Sequence, residues 1–118
     1  GREDTFRAGK LNGRKKTGDL TDGLNKNLPI IVIDHQPREY EMLAAAGVDL
    51  DLSGHTHNGQ VFPGNLITAV MYDNSYGMTK VNRLTGITTS GAGIWGPPIR
   101  VGTDSEVAIV NVTFNGKN

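Results

Sequence analysis

Gly54-His55-Thr56-His57-Asn58-Gly59-Gln60 sets two imidazoles two positions apart between glycines, directly after an apolar run. A neutral imidazole is a borderline-soft nitrogen ligand for zinc, iron, manganese, cobalt or nickel. Flanking glycines let the backbone turn sharply enough to aim both rings at one point. Alone, a His-x-His pair fits a polar surface turn as well as a metal site. What changes the reading is His35, which lies 20 positions upstream of His55 and completes the chain's 3 histidines. The chain has no cysteine, so disulfides are excluded and any metal must be held by nitrogen and oxygen donors.

The elements around the histidines form a βαβ pattern. Pro29-Ile30-Ile31-Val32-Ile33-Asp34 is a β-branched apolar run of the kind expected for a strand buried on both faces. After His35-Gln36 a helix is expected to start with Pro37 at its first position, Glu39 and Glu41 near its positive end, and Tyr40, Leu43 and Ala44 on one face. Gly47 followed by Val48 reads as a left-handed cap with its hydrophobic follower. Val48 to Ser53 alternates at period two, as a second strand should. Strand, helical crossover and strand predict two parallel neighbours joined right-handedly, so the carboxyl ends of both lie on one edge of the sheet. His35 follows the first strand, and His55 and His57 follow the second. Topology therefore brings all three to the rim where open α/β sheets bind ligands.

At 118 residues the chain is one domain's worth of sequence, and its 16 glycines, about twice the ordinary share, predict many tight turns. Net charge is zero but uneven: residues 1–27 carry seven Lys/Arg against four acids, and the remainder five against eight. The division expected is a basic polar segment over 1–27, partly mobile or helical, and the main domain over 28–118. Arg14-Lys15-Lys16 reads as a solvated, mobile face, and with no aromatics interleaved it lends no support to nucleic-acid binding. The chain begins with Gly1 and contains no apolar stretch long enough to span a bilayer, so a targeting or membrane segment upstream stays open.

Downstream the pattern is mainly β. Leu66–Tyr72 fits a strand or a short helix. Tyr76–Val81 and Ile87–Ser90 fit short strands around a Leu84-Thr85-Gly86 turn, and Glu106–Phe114 is the clearest late strand. Trp95, on the Gly91–Pro98 loop, and Arg100 are the candidates for substrate contact. Trp95 equally fits a core-edge cover, and Arg100 an ion pair with an acid such as Glu106.

Ile33-Asp34-His35-Gln36-Pro37, Gly47-Val48-Asp49-Leu50, Ser53 to Gln60, Ser90-Gly91-Ala92-Gly93 and Ile99-Arg100 together resemble the C-terminal half of a calcineurin-like metallophosphoesterase, over roughly residues 28–112. The flavour is that of the bacterial, often membrane-associated branch, in which glycine usually stands at the place of Asn58. The resemblance implies an α/β fold, half of a β-sandwich flanked by helices, and a phosphoester hydrolase with two divalent ions of the manganese, iron or zinc kind. It implies that His35 and His55 hold one ion and His57 the other. Substrates of such a protein would be phosphoesters, lipid or nucleotide among them, and any membrane association would come through the upstream segment.

The family's Asp-x-His, Gly-Asp-x-x-Asp and Gly-Asn-His-Glu/Asp elements should all lie upstream. Gly18-Asp19-Leu20-Thr21-Asp22 spells the second of these, yet it follows basic residues rather than a buried strand, and Asp19, Leu20 and Leu24 fit an amphipathic helix instead. With three ligands and no bridging carboxylate, this stretch alone is expected to bind metal weakly and to turn nothing over. Two other classes fit the same residues: a mononuclear His₃ zinc hydrolase, and an interaction module that keeps the fold without the chemistry.

Overall fold

Ile31–Ile33 (β1) and Leu50–Ser53 (β2) pair in parallel, with Ile31 opposite Leu50 and Ile33 opposite Leu52, and the helix Tyr40–Ala45 (α2) crosses between them. The computed structural model describes Arg2, Asp4 and residues 14–113. Before this unit comes one turn of helix, Thr17–Thr21 (α1); after it come a short helical turn at His57–Gly59, the helix Gly64–Met71 (α3), and the strands Gly77–Val81 (β3) and Leu84–Thr88 (β4). The sheet order is β1-β2-β4-β3, with β4 parallel to β2 and antiparallel to β3. This is a mixed α/β fold.

The helix ends as its sequence requires. Gly47 takes φ +88°, its N–H donates to Ala44 and that of Val48 to Leu43, and the fully buried Val48 and Leu43 close the cap with an apolar contact. Its start differs from expectation. Pro37 lies outside the helix and Glu39 is left-handed at φ +66°. The first free N–H, that of Tyr40, is taken by the Asp73 carboxylate at 2.9 Å, so a distant acid sets the boundary.

One face of the sheet holds the core. Tyr40, Leu43 and Ala44 of α2 pack on Ile30, Val32, Val48 and Leu84, each large side chain contributing about 1.5–3 kcal/mol by burial. The opposite face leaves Ile31 and Ile33 exposed, so β1 is not buried on both sides by the described residues. Among them there is one sheet and no second layer of a sandwich.

Three other expectations are corrected. Leu84-Thr85-Gly86 is strand, not turn: Leu84 is fully buried, Gly86 lies against the Tyr40 ring where a methyl would overlap it, and the chain reverses at Asn82-Arg83, with Asn82 at φ +53°. Glu106–Thr113 forms no ladder; the segment lies over the sheet face near Ile31, Ile33 and Ile87, with Val107 and Ile109 exposed, and Phe114 falls outside the described residues. Finally, α1 buries Thr17 and Thr21, while Leu24 lies beyond it and is exposed. The segment 66–72 is helix, and α3 buries none of its residues. No helix among the described residues is long and apolar enough to cross a membrane.

The basic front is tied down rather than solvated at Arg14. Its two guanidinium nitrogens each donate to a different oxygen of the buried Asp34 at 2.7 Å, and Arg2 reaches Asp34 at 3.4 Å and Glu39 at 2.6 Å. Asp34 also accepts the N–H of His35 at 2.7 Å and that of Gln36 at 3.3 Å. Thus the strand end that launches His35 is fixed by a buried carboxylate and two arginines.

Candidate metal centre

The rim begins where β1 and β2 end side by side. Gly54 N–H donates to the His35 carbonyl at 3.2 Å, carrying the ladder one step past the strands and bringing the two imidazoles together edge-on, their planes 68° apart. His55 Nδ1 lies 2.7 Å from His35 Nε2, the ring centroids are 4.6 Å apart, and the His35 side chain is 49 % exposed. The Asp4 carboxylate approaches His35 Nε2 at 3.6 Å, and the edge of Tyr72, itself under the Arg38 guanidinium, closes the other side of His55. Burial pushes the His55 pKa down, the charges of His35, His57 and Arg38 push the same way, and Asp4 opposes them. The balance of these effects favours the neutral ring, the form in which a ring nitrogen has a lone pair to give.

Beneath the rim is a layer of hydroxyls. Tyr40 Oη lies 3.4 Å from Ser53 Oγ and 3.3 Å from Thr88 Oγ1, those two are 3.2 Å apart, and Asn74 donates to Thr88 at 3.2 Å. Ser53 and Thr88 are the last residues of β2 and β4, so this layer ties the strand ends together just below Gly54 and His55. Asp51 lies lower on the same face. It is 0 % exposed, neither of its oxygens has a hydrogen-bond partner among the described residues, and burial pushes it up to about 6.

His57 is positioned by different means. His57, Asn58, Gly59 and Gln60 have φ of +50°, +49°, +76° and +54°, a run of four left-handed residues of which only one is glycine. Each non-glycine residue in this region costs about 1 kcal/mol or more, so the surroundings must over-determine the turn. They do so from several sides. Gln60, 2 % exposed, accepts from Trp95 N–H at 2.8 Å and donates to the Trp95 carbonyl at 2.7 Å, while Val101 N–H donates to its carbonyl at 2.9 Å. Thr56 Oγ1 accepts Asn58 N–H at 3.2 Å and donates to the Ser75 carbonyl at 2.6 Å.

The sequence-predicted residues therefore divide. His35 and His55 meet. His57 sits on the adjoining turn with Nδ1 facing Arg100 at 3.4 Å. Arg100 makes no ion pair with Glu106, which instead accepts from Tyr76 Oη and Ser90 N–H, both at 2.9 Å. Trp95 is 64 % exposed beside Gln60. Sequence reasoning missed Gln60, Asp4 and the Arg2–Arg14–Asp34 group. Only Gln60, abutting a glycine at the end of the motif, carried a local signal.

Among the described residues no three His, Asp or Glu side chains are gathered to hold a metal ion by themselves. The His35–His55 pair nevertheless fits as part of such a set. Nitrogen–metal bonds are about 2.0–2.1 Å long, so two ring nitrogens this close need only a small separation to share one ion. Without an ion the two nitrogens lie at hydrogen-bond distance from each other.

A rim of this kind, with paired imidazoles outside the carboxyl ends of parallel strands, belongs to the α/β proteins that bind ligands there. The chain is 40 % identical over 90 residues to an uncharacterized metallophosphoesterase of Helicobacter pylori, covering 75 % of this chain and 24 % of that protein. It is 37 % identical over 90 residues to one of Campylobacter jejuni, with the same coverage of 75 % and 24 %. To a transmembrane protein with metallophosphoesterase domain of Danio rerio it is 34 % identical over 89 residues, 73 % of this chain and 20 % of that protein. Over the matched residues the chain belongs to the metallophosphoesterase family. It spans about a quarter of the length of the bacterial relatives it matches. No family model and no solved structure matches the chain.

Proposed function

We propose that this chain supplies the histidine side of a dinuclear metal centre in a phosphoester hydrolase, with His35 and His55 on one divalent ion and His57 on the other. The observation that carries the reading is the 2.7 Å approach of His35 Nε2 to His55 Nδ1 at the sheet rim. Two divalent ions of the manganese, iron or zinc kind would polarise phosphoryl oxygens and ionise a bound water.

The chain's own residues account for the rest of its share. Neutral imidazoles leave the ions more net positive charge than carboxylates would. Asp34 and the hydroxyl layer keep the two strand ends in register. The half-exposed His35 leaves the centre open to a substrate, and Trp95 stands on a loop beside the His57 turn where the substrate's organic part can rest. Lipid and nucleotide phosphoesters both suit such an opening. The remaining ligands belong to polypeptide beyond this quarter, so these residues alone bind metal weakly and do not turn over.

The longer natural polypeptide containing this chain should hydrolyse a chromogenic phosphoester with manganese. His35→Ala or His55→Ala should lower kcat at least about 100-fold. A correctly folded longer protein that stays inactive with manganese, iron and zinc overturns the proposal. A single ion per chain at full activity favours the mononuclear hydrolase.

A further inference from the structure

We propose that Arg100, together with Gln60, is a positioning residue that holds the left-handed turn of His57 and so places its imidazole; the inference rests on the reading above. Arg100 Nη1 donates to the His57 carbonyl at 3.3 Å, to Thr103 Oγ1 at 3.1 Å and to the Asp104 carbonyl at 3.1 Å. Nη2 donates to the carbonyls of Ser90 at 2.8 Å, Gly91 at 3.1 Å and Gly93 at 2.6 Å, and faces His57 Nδ1 at 3.4 Å.

A guanidinium carries five N–H donors in a rigid fork and no acceptor. Here Nη1 and Nη2 are committed to backbone and side-chain oxygens, and Nε is buried without a partner. With Nη1 and Nη2 occupied and Nε buried, the fork has no exposed free donor to offer a phosphoryl group, which separates this role from direct substrate binding. What the fork does bind is the left-handed turn that carries His57, and the two stretches of loop, 90–93 and 103–104, that flank it. Gln60 grips the far end of the turn through Trp95 and, at 3.3 Å, the Pro97 carbonyl. His57 is thus held at its carbonyl and ring by Arg100, and three residues later by Gln60.

Because a guanidinium only donates, the Arg100 contact favours the His57 tautomer in which Nδ1 accepts and Nε2 carries the proton. This gives a readout independent of metal and of activity.

The test uses the longer natural polypeptide and the variants Arg100→Gln, Arg100→Lys and Gln60→Met, titrated with manganese alone by calorimetry and assayed for kcat and KM. Arg100→Gln should weaken one of the two ions about 10–100-fold, the scale on which ligand-orienting partners act, and leave the other, on His35 and His55, within twofold. It should lower kcat with KM unchanged. Lysine should not rescue, since a point charge cannot span these carbonyls, whereas a phosphate-binding role would be partly rescued. A raised KM with both ions retained, rescue by lysine, or equal weakening of both ions overturns the proposal.

Should Arg100→Gln fail to fold, Gln60→Met decides: the same selective loss supports the clamp, and no loss overturns it. A wild type that takes up no ion defeats the hydrolase reading on its own. In that case the ¹⁵N shifts of the His57 ring decide, and shifts unchanged by Arg100→Gln overturn the clamp.

Discussion

His35 and His55 each stand two residues past a strand end, His55 on a single left-handed residue at φ +68°, and His57 opens a longer strained turn. The first two follow parallel strands whose register continues through the Gly54 N–H to the His35 carbonyl, over a core of α2 side chains. His57 begins a run of four left-handed residues held by the Gln60 side chain on the Trp95 backbone, 35 positions further along, and by the Arg100 side chain, 43 positions beyond His57. The two arrangements differ in what they cost. A strand end inherits its position from hydrophobic burial that the fold needs anyway, whereas the turn must be stabilised locally against its own backbone preference. The pair His35–His55 should therefore be robust to changes in the loops, and His57 sensitive to them.

The sharpest way to separate the two is Gly59→Ala. Gly59 combines φ +76° with a close approach to Gly64 and Asn65, where a methyl would fall inside the backbone of both. Backbone cannot yield as a side-chain tip can, so the loss should exceed about 3 kcal/mol, at or beyond the top of ordinary overpacking. Hydrogen exchange should show protection collapsing over 57–71 while residues 30–53 keep theirs. Uniform loss across both stretches would mean that turn and strands are one cooperative unit, and the contrast drawn here would fail.

The same contrast explains what could be read from the residues in order. The βαβ unit was legible because its signals are local: β-branched runs at 29–34, period two at 48–53, and a glycine with an apolar follower at 47–48. The rim followed from topology, since parallel strands share an edge. The start of α2 was not legible, because Asp73 sets it from 33 positions away. Nor was the β3–β4 turn, where Leu84 answers to the core and Gly86 to the Tyr40 ring rather than to turn propensity. Arg14, read as solvated, is recruited by a buried Asp34 that no short-range pattern connects to it. The left-handed turn was hidden most completely: His, Asn and Gln at positive φ are outliers that only the clamp through Gln60 and Arg100 makes tolerable.

A second test works on the strand side. Burial raises the pKa of Asp51 from 3.8 to about 6; Asp34 adds to the rise, while the Ser53 and Tyr40 hydroxyls and Arg14 moderate it. A carboxyl whose folded pKa exceeds its unfolded value binds its proton more tightly when folded. Its contribution to stability is therefore most favourable below about pH 4 and declines as pH rises to about 6, then stays level. The shift corresponds to roughly 3 kcal/mol. Asp51→Asn preserves shape without the charge, and should gain up to ~3 kcal/mol at pH 7 in urea unfolding and lose the downward slope between pH 4 and 6. The slope persisting in the variant would assign it to another group.

The smallest effect is expected on the turn itself, at Asn58. Asn58 adopts φ +49°, and asparagine is among the least penalised non-glycine residues there, because its short amide can bond to nearby backbone. Replacing it with glycine removes the remaining steric cost but enlarges the freedom of the unfolded chain, and the two oppose each other. The net should be a gain of only about 0.5 kcal/mol. The Asn58 N–H bond to Thr56 Oγ1 survives the change, since it uses the backbone. In unfolding experiments Asn58→Gly should thus be neutral to slightly stabilising, and the His57 ring should keep its nitrogen shifts. A loss beyond about 1 kcal/mol would mean that the Asn58 side chain is part of what holds the turn, and that Arg100 and Gln60 do not suffice.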